Sequence, residues 1–205
     1  MISLEVRNLG KWFGRRKVFD EISFSLQEKK SLVVTGRNGS GKTTLLKILC
    51  GLIRPTKGEV LISFDGKSIT RDQSKGLFGL VMPDLELYGE LTALENLIFL
   101  ARIRGLNPDK DELKEKITRV GLGKREDDLV FSFSSGMKQR LKYAFALLNN
   151  PKILVLDEPT VNLDQEGISL VEQMVSLQKE RGILILATNE KGDLKYGDQI
   201  IQLGG

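Results

Sequence analysis

Histidine is absent from this sequence of 205 residues, and cysteine occurs only once, as Cys50. Without an imidazole, the chain has no histidine base, nucleophile or metal ligand. A single cysteine excludes an internal disulfide, and we expect Cys50 to pack as a small apolar side chain in a reducing compartment.

Long apolar runs are also missing. The longest, such as residues 183–187, fall well short of the ~20 residues that a membrane-spanning helix needs. The first residues alternate like a strand and lack the basic start and apolar centre of a secretory signal. These absences predict a cytoplasmic protein that does not cross a bilayer by itself.

Charge and composition are ordinary for a soluble globular protein, with 40% hydrophobic and 28% charged residues. The net charge is +4, but basic residues are scattered among acidic ones, which favours a solvated surface over a nucleic-acid-binding face. We therefore expect no nucleic-acid partner.

Strand and helix patterns alternate along most of the chain. Alternating residues from Ile2 to about Leu26, interrupted by a basic turn, predict antiparallel strands. Helical spacing dominates from Leu91 to about Gly121. Short buried strands alternate with helices elsewhere, which predicts an α/β fold with a mainly parallel sheet. We interpret residues 1–205 as one domain, with a helical subdomain inserted at about residues 84–135.

The most specific motif is a glycine-rich loop that follows a β-branched run and precedes a helix. Its pattern is Gly-x-x-x-x-Gly-Lys-Thr from Gly36 to Thr43. Such glycines let several backbone N–H groups surround a phosphate at a helix N-terminus. Lys42 would contact the β- and γ-phosphates, and Thr43 would ligate Mg²⁺. A plain connecting turn is the alternative. The predicted nucleotide-binding residues of the loop are Gly36, Arg37, Asn38, Gly39, Ser40, Gly41, Lys42, Thr43 and Thr44.

A pair of carboxylates, Asp157 and Glu158, follows a short apolar strand. The carboxyl ends of strands in open α/β sheets are where ligands collect. Asp157 would hold Mg²⁺ through water, opposite Thr43, and Glu158 would polarise the water that attacks the γ-phosphate. A solvated strand end is the alternative for this pair.

Small residues begin another helix at Phe133-Ser134-Ser135-Gly136-Met137. Ser134 or Ser135 is a candidate helix N-cap. A helix N-terminus with a serine hydroxyl can also bind a second phosphate, and both uses are compatible.

The order of these motifs resembles the ATPase subunit of an ATP-binding cassette (ABC) transporter over essentially the whole chain. The resemblance implies a P-loop NTPase with an N-terminal antiparallel β subdomain and a helical insertion, and with ATP and Mg²⁺ as cofactors. It also implies that Phe13 stacks on adenine beside Val18, and that Ser134, Ser135 and Gly136 bind the ATP held by an opposite subunit. Asn162-Leu163-Asp164 would lie at the contact of a head-to-tail homodimer or heterodimer.

The sequence departs from the family pattern at two positions. Pro83 stands where a glutamine is usual, and Asn189 stands where a histidine is usual. We expect Glu158 to remain the base and Asn189 to donate a neutral hydrogen bond, so that the catalytic residues are these two and hydrolysis is slow. The hypothesis for the missing glutamine is that Asp84 supplies a polar contact to Mg²⁺ or water.

The resemblance further implies a membrane-spanning permease as partner, reached by residues 85–91, and a location on the cytoplasmic face of a membrane. The apolar Leu87 and Tyr88 would either enter a partner or pack into their own lobe. The compact form resembles exporters, including those implicated in haem and cytochrome c maturation. Two alternatives are a soluble ABC-type ATPase acting on DNA or ribosomes and a regulatory module that binds nucleotide without hydrolysing it.

Overall fold

The computed structural model describes residues 1–204, which form two sheets and a helical lobe. The first sheet is antiparallel, in the order β2-β1-β4-β5. In β1, alternate residues such as Ile2 and Leu4 are buried, as expected for a strand with one face in the core. Its strands are β1 (Ile2–Phe13), β2 (Arg16–Gln27), β4 (Lys57–Phe64) and β5 (Lys67–Ile69). The predicted N-terminal antiparallel strands and their basic turn are confirmed.

The second sheet has five parallel strands in the order β6-β7-β8-β3-β9. Every residue of β7 and β8 is buried, which is typical of parallel strands covered on both faces. Because the strands are parallel, their carboxyl ends meet at one edge, where the phosphate loop, Asp157 and Asn189 lie. The strands are β3 (Ser31–Gly36), β6 (Phe78–Val81), β7 (Ile153–Asp157), β8 (Ile183–Thr188) and β9 (Gln199–Leu203).

Six α-helices are present in the part of the chain that the structure describes. Helix α3 begins with a capping box in which Thr92 and Glu95 satisfy each other's backbone N–H groups. The helices are α1 (Lys42–Leu49), α2 (Arg71–Ser74), α3 (Ala93–Ile103), α4 (Lys110–Ile117), α5 (Ser135–Ala146) and α6 (Gln165–Arg181). Shorter 3₁₀ segments are Lys75–Leu77, Val130–Ser132 and Lys191–Tyr196, and a π-turn covers Thr118–Leu122.

The parallel sheet separates two apolar clusters. Leu32 and Val34 of β3 belong to the cluster shared with α1 and the antiparallel sheet, whereas Val33 belongs to the cluster shared with α3, α5 and α6. The predicted apolar face of α3 (Leu94, Leu97, Ile98 and Ala101) packs into the second cluster. The helical lobe therefore shares a core with the sheet, as an insertion does.

Cys50 and the helices bear on two predictions made from composition. Cys50 is buried, and this burial raises the pKa of its thiol above the ordinary range, so it packs as an unreactive apolar residue. None of the helices within residues 1–204 has the length and apolar character needed to cross a membrane.

Candidate nucleotide site

The glycine-rich loop connects β3 to α1 at the edge of the parallel sheet. Gly41 has φ 101° and immediately precedes α1. A Cβ atom at Gly41 would lie 2.4 Å from Cγ1 of Val18, so this position requires glycine both for its conformation and for space. The first turn of α1 contains no acidic residue. The helix therefore presents its partial positive end to the loop, where an anion would be stabilised.

Lys42 is the first residue of α1, and its side chain is almost buried, at 7% exposure. Its Nζ donates to the carbonyl oxygen of Gly36 at 2.9 Å and lies 3.3 Å from Oε1 of Glu158. The ammonium of Lys42 therefore contacts both the phosphate loop, at Gly36, and the carboxylate of Glu158, which follows β7. This position suits a group that contacts a polyphosphate beside a general base.

Thr43 and Asp157 meet across the same edge. Oγ1 of Thr43 donates to Oδ2 of Asp157 at 2.5 Å, and Asp157 is only 2% exposed. Burial raises the pKa of Asp157, while the hydrogen bond from Thr43 acts in the opposite direction. Oδ1 of Asp157 is buried without a hydrogen-bond partner among residues 1–204. A hydroxyl and an orphaned carboxylate oxygen fit a hard cation such as Mg²⁺.

Glu158 and Asn189 come from neighbouring strand ends and touch. The backbone N–H of Asn189 donates to Oε2 of Glu158 at 3.3 Å, and Nδ2 of Asn189 donates to Oδ1 of Asn38 at 3.3 Å. The Glu158 backbone has φ 50°, which is uncommon for a residue with a side chain. The carboxylate of Glu158, the N–H groups of Asn189 and the phosphate loop at Asn38 therefore lie next to one another.

These residues surround a cleft of about 460 Å³. Phe13 and Val18 lie on it, as the resemblance implies, and the ammonium of Lys11 is 4.7 Å from the centre of the Phe13 ring. Arg16 also lines the cleft, although its only signal in the sequence was the basic turn. The lining residues are Phe13, Arg16, Val18, Asn38, Gly39, Gly41, Lys42, Thr43, Thr44, Pro83, Asp157 and Glu158.

Arg37 and Ser40 are in the loop but not on this cleft. The backbone N–H of Ser40 donates to the carbonyl oxygen of Arg37 at 3.0 Å, which closes a tight turn. Their contribution in the structure is to shape the loop.

Asp84 forms an ion pair with Lys47 in this structure, and its contact with Mg²⁺ stays a prediction. The structure does not bring its carboxylate to the cleft: Oδ2 lies 2.6 Å from Nζ of Lys47, on α1, and the side chain is 59% exposed. Pro83 lines the cleft instead. The ammonium of Lys47 holds the carboxylate at the surface of α1, from where its negative charge still contributes to raising the pKa of Asp157.

The serine-glycine segment lies on a second cleft, of about 510 Å³. Oγ of Ser134 accepts a hydrogen bond from the backbone N–H of Met137 at 3.2 Å and caps α5. A single chain does not bring this cleft and the nucleotide cleft together. Residues on the second cleft include Ser134, Ser135, Gly136, Arg140, Asn162 and Asp164.

Residues 85–91 cover the helical lobe. The side-chain amide of Asn96 bonds to both backbone groups of Tyr88, at 2.8 and 2.9 Å. Leu87 packs into the lobe, whereas Tyr88 is 46% exposed and its ring lies edge-on to Phe99 with centroids 4.9 Å apart. Phe131 is 71% exposed and its N–H bonds to Gly89. We call Tyr88, Phe99 and Phe131 the Tyr88 patch.

Comparison with known proteins gives one family. The family model described as ABC transporter matches residues 19–161. The chain is 37% identical to the uncharacterized ABC transporter ATP-binding protein YhcH of Bacillus subtilis, over 91% of this chain and 61% of the relative. It is 33% identical to the lantibiotic transport ATP-binding protein SrtF of Streptococcus pyogenes, over 91% of this chain and 79% of the relative. A bacterial ABC transporter cassette solved as a dimer superimposes with a TM-score of 0.83 at 25% identity, covering 98% of this chain and 94% of that one.

Proposed function

Because the chain belongs to the ABC transporter family as an ATP-binding protein, we propose that it binds and hydrolyses Mg-ATP to drive a separate membrane permease. The observation that carries this proposal is the convergence of Lys42, Thr43, Asp157 and Glu158 at one sheet edge. The chain spans 61% of the length of YhcH, so the activity of the complete transporter is also part of the proposal.

In this proposal the backbone N–H groups of the loop and the ammonium of Lys42 hold the phosphates. Glu158 orients and deprotonates the attacking water, and Nζ of Lys42 lies 3.3 Å from its Oε1. Asn189 fixes Glu158 through its backbone N–H and presents a neutral side-chain amide beside Asn38.

Thr43 and Asp157 are the residues that would hold Mg²⁺. When bound, the ion neutralises charge on the phosphate oxygens. Without the usual glutamine and histidine, we expect slow turnover, since loss of one transition-state donor typically costs about 10²–10³ in rate. Phe13 and Arg16 would contact the base and sugar end of the nucleotide.

The decisive experiment measures phosphate release and ATP affinity for the parent, Glu158→Gln, Lys42→Ala and the control Glu180→Gln. Glu180 is exposed on α6. We expect Glu158→Gln to bind Mg-ATP but to release almost no phosphate, and Lys42→Ala to lose affinity by at least about tenfold. The control should match the parent. Parental phosphate release by Glu158→Gln would contradict the assignment of the base. Absence of phosphate release by the parent itself would support the non-hydrolysing module instead.

The second cleft supports a head-to-tail dimer as part of the proposal. Ser134 and Gly136 lie outside the nucleotide cleft of their own chain, and a similar cassette is dimeric. We expect Glu158→Gln to form a dimer with Mg-ATP in size-exclusion chromatography with light scattering. Gly136→Asp should prevent it, because a Cβ at Gly136 would already lie 2.9 Å from the carbonyl oxygen of Asn162, whereas Gly76→Asp meets open space and should not.

We also propose export as the direction of transport, as the resemblance to compact exporters suggests. SrtF is named for lantibiotic transport, and a lantibiotic is therefore a candidate substrate beside haem. Substrate transport by the chain and its permease, reconstituted in vesicles of known orientation, tests the direction.

A further inference from the structure

Asp193 is a buried carboxylate that has no part in the chemistry described so far. It is 6% exposed and lies in the 3₁₀ segment Lys191–Tyr196, which follows β8. It does not line the nucleotide cleft. Its only side-chain hydrogen-bond partner within residues 1–204 is the hydroxyl of Thr188, at the end of β8.

The Thr188 hydroxyl connects Asp193 to the following turn. Its Oγ1 donates to Oδ2 of Asp193 at 2.9 Å and accepts the backbone N–H of Glu190 at 3.0 Å. A hydroxyl has one proton to donate, so the carboxylate determines its direction and leaves a lone pair for Glu190. Thr188 is fully buried, and water does not compete for these bonds.

Asn189 lies between Thr188 and Glu190, which this hydroxyl joins. Its backbone N–H meets Oε2 of Glu158, and its side chain meets Asn38 of the phosphate loop. The turn at residues 188–190 therefore connects Asp193 to the carboxylate of Glu158 through hydrogen bonds.

The electrostatic surroundings argue against a role in stability. Burial raises the pKa of Asp193, the carboxylates of Glu190 and Glu158 raise it further, and the Thr188 hydrogen bond and the Lys195 ammonium oppose them. Burial of a carboxylate costs free energy unless hydrogen bonds or an opposite charge offset it, and Asp193 has one side-chain hydrogen bond within residues 1–204. If residue 193 were needed only for packing, we would expect an apolar side chain there rather than a carboxylate.

We propose that Asp193 and Thr188 are positioning residues that orient the turn carrying Asn189 and thereby hold Glu158 for attack on the γ-phosphate. This inference rests on the proposed function of Glu158. It assigns no contact with the nucleotide to either residue.

The test compares Thr188→Val and Asp193→Ala, which remove the hydrogen bond, with Thr188→Ser and Asp193→Asn, which keep a donor and an acceptor. For the first pair we expect kcat to fall about tenfold, since a displacement of ~1 Å can cost about 10²-fold, with KM for ATP unchanged. The conservative pair should retain most of the parental kcat. The thermal midpoint of Asp193→Ala should equal or exceed that of the parent, because the repulsion from Glu158 and Glu190 is removed.

A double-mutant cycle completes the test. Thr188→Val/Asp193→Ala should be no slower than either single variant, because both remove the same bond. Three results would overturn the proposal. They are a parental kcat in the single variants, a double variant whose loss of kcat is the product of the two single losses, and an equal loss of kcat in the conservative variants. If Thr188→Val does not fold, Asp193→Ala and Asp193→Asn decide. A hydrolysis rate unaffected by Glu158→Gln would instead reject the proposed function.

Discussion

Asp84 and Asn189 show how much depends on where a single polar side chain lies. Asn189 is itself a departure from the family pattern and Asp84 directly follows one, at Pro83. Each was expected to compensate for the residue that is missing. Asn189 contacts Glu158 and the phosphate loop, whereas Asp84 pairs with Lys47 outside the cleft. Asn189 is therefore close enough to act on the reacting groups. In this structure Asp84 is held by Lys47 instead.

Replacement of Asp84 by alanine should therefore have little effect on hydrolysis. We expect the ATPase rate and the dependence on Mg²⁺ concentration to remain within about twofold of the parent, since an exposed ion pair contributes little. A steady-state phosphate assay over a Mg²⁺ titration measures both. A shifted Mg²⁺ dependence in Asp84→Ala, but not in Lys47→Ala, would restore Asp84 as a metal contact.

Asn189 leads to a prediction about pH. The chain has no histidine, so we expect its pH–rate profile to lack a limb from an unperturbed imidazole near ~6.5. Asn189→His should introduce such a limb and raise kcat above pH ~7, where the neutral imidazole predominates. The control is Asn149→His, away from the cleft. A limb near this pH in the parent that persists in Glu158→Gln would contradict the prediction.

At the scale of elements, α5 and α6 are connected through Asp164. Oδ1 of Asp164 accepts the backbone N–H of Gly167 at 2.8 Å and caps α6, and it also accepts from Arg140 of α5 at 2.5 Å. The Gly167 bond, followed by the Arg140 bond, lowers the pKa of Asp164. One carboxylate thus fixes the start of α6 against the helix that begins at the serine-glycine segment.

Asp164→Ala should lower the thermal midpoint at neutral pH by about 2–4 °C, as expected for loss of an N-cap in a chain of this size. Because the folded-state pKa is depressed, this stabilisation is present above the ordinary value of 3.8 and is lost as pH falls through the lower folded value. The difference from the parent should therefore shrink as the pH falls below 3.8. Circular dichroism melts, with the exposed Asp127→Ala as control, measure it. A constant difference across this range would contradict the linkage.

At the scale of the molecule, the parallel sheet presents the nucleotide site at one edge while the helical lobe exposes the Tyr88 patch. Apolar patches of this kind suit protein partners. Leu87 packs into its own lobe, so the partner hypothesis concerns Tyr88 rather than both residues. The same loop continues from Pro83, which lines the nucleotide cleft, so it would connect the cleft to the proposed partner.

Tyr88→Asp should release the permease without changing ATP binding, because the patch is exposed and the cleft is separate. We expect co-purification of the membrane partner from detergent-solubilised membranes to be lost. Leu177→Asp, an exposed leucine on α6 that borders a different cavity, is the matched control and should co-purify normally. Equal recovery with Tyr88→Asp would show that the partner binds elsewhere.

The sequence by itself determined the phosphate loop, the parallel α/β architecture, the helical insertion and the family, because these depend on glycine positions, apolar periodicity and the order of motifs, which are local properties of the chain. Only the tertiary structure decided which side chains meet. These contacts join elements that are separated along the chain or by a turn. They are the Asp84–Lys47 pair, the contact of Asn189 with Glu158, the place of Arg16 on the cleft and the Asp193–Thr188 bond. Their geometry depends on packing distances of a few ångströms, which periodicity does not encode.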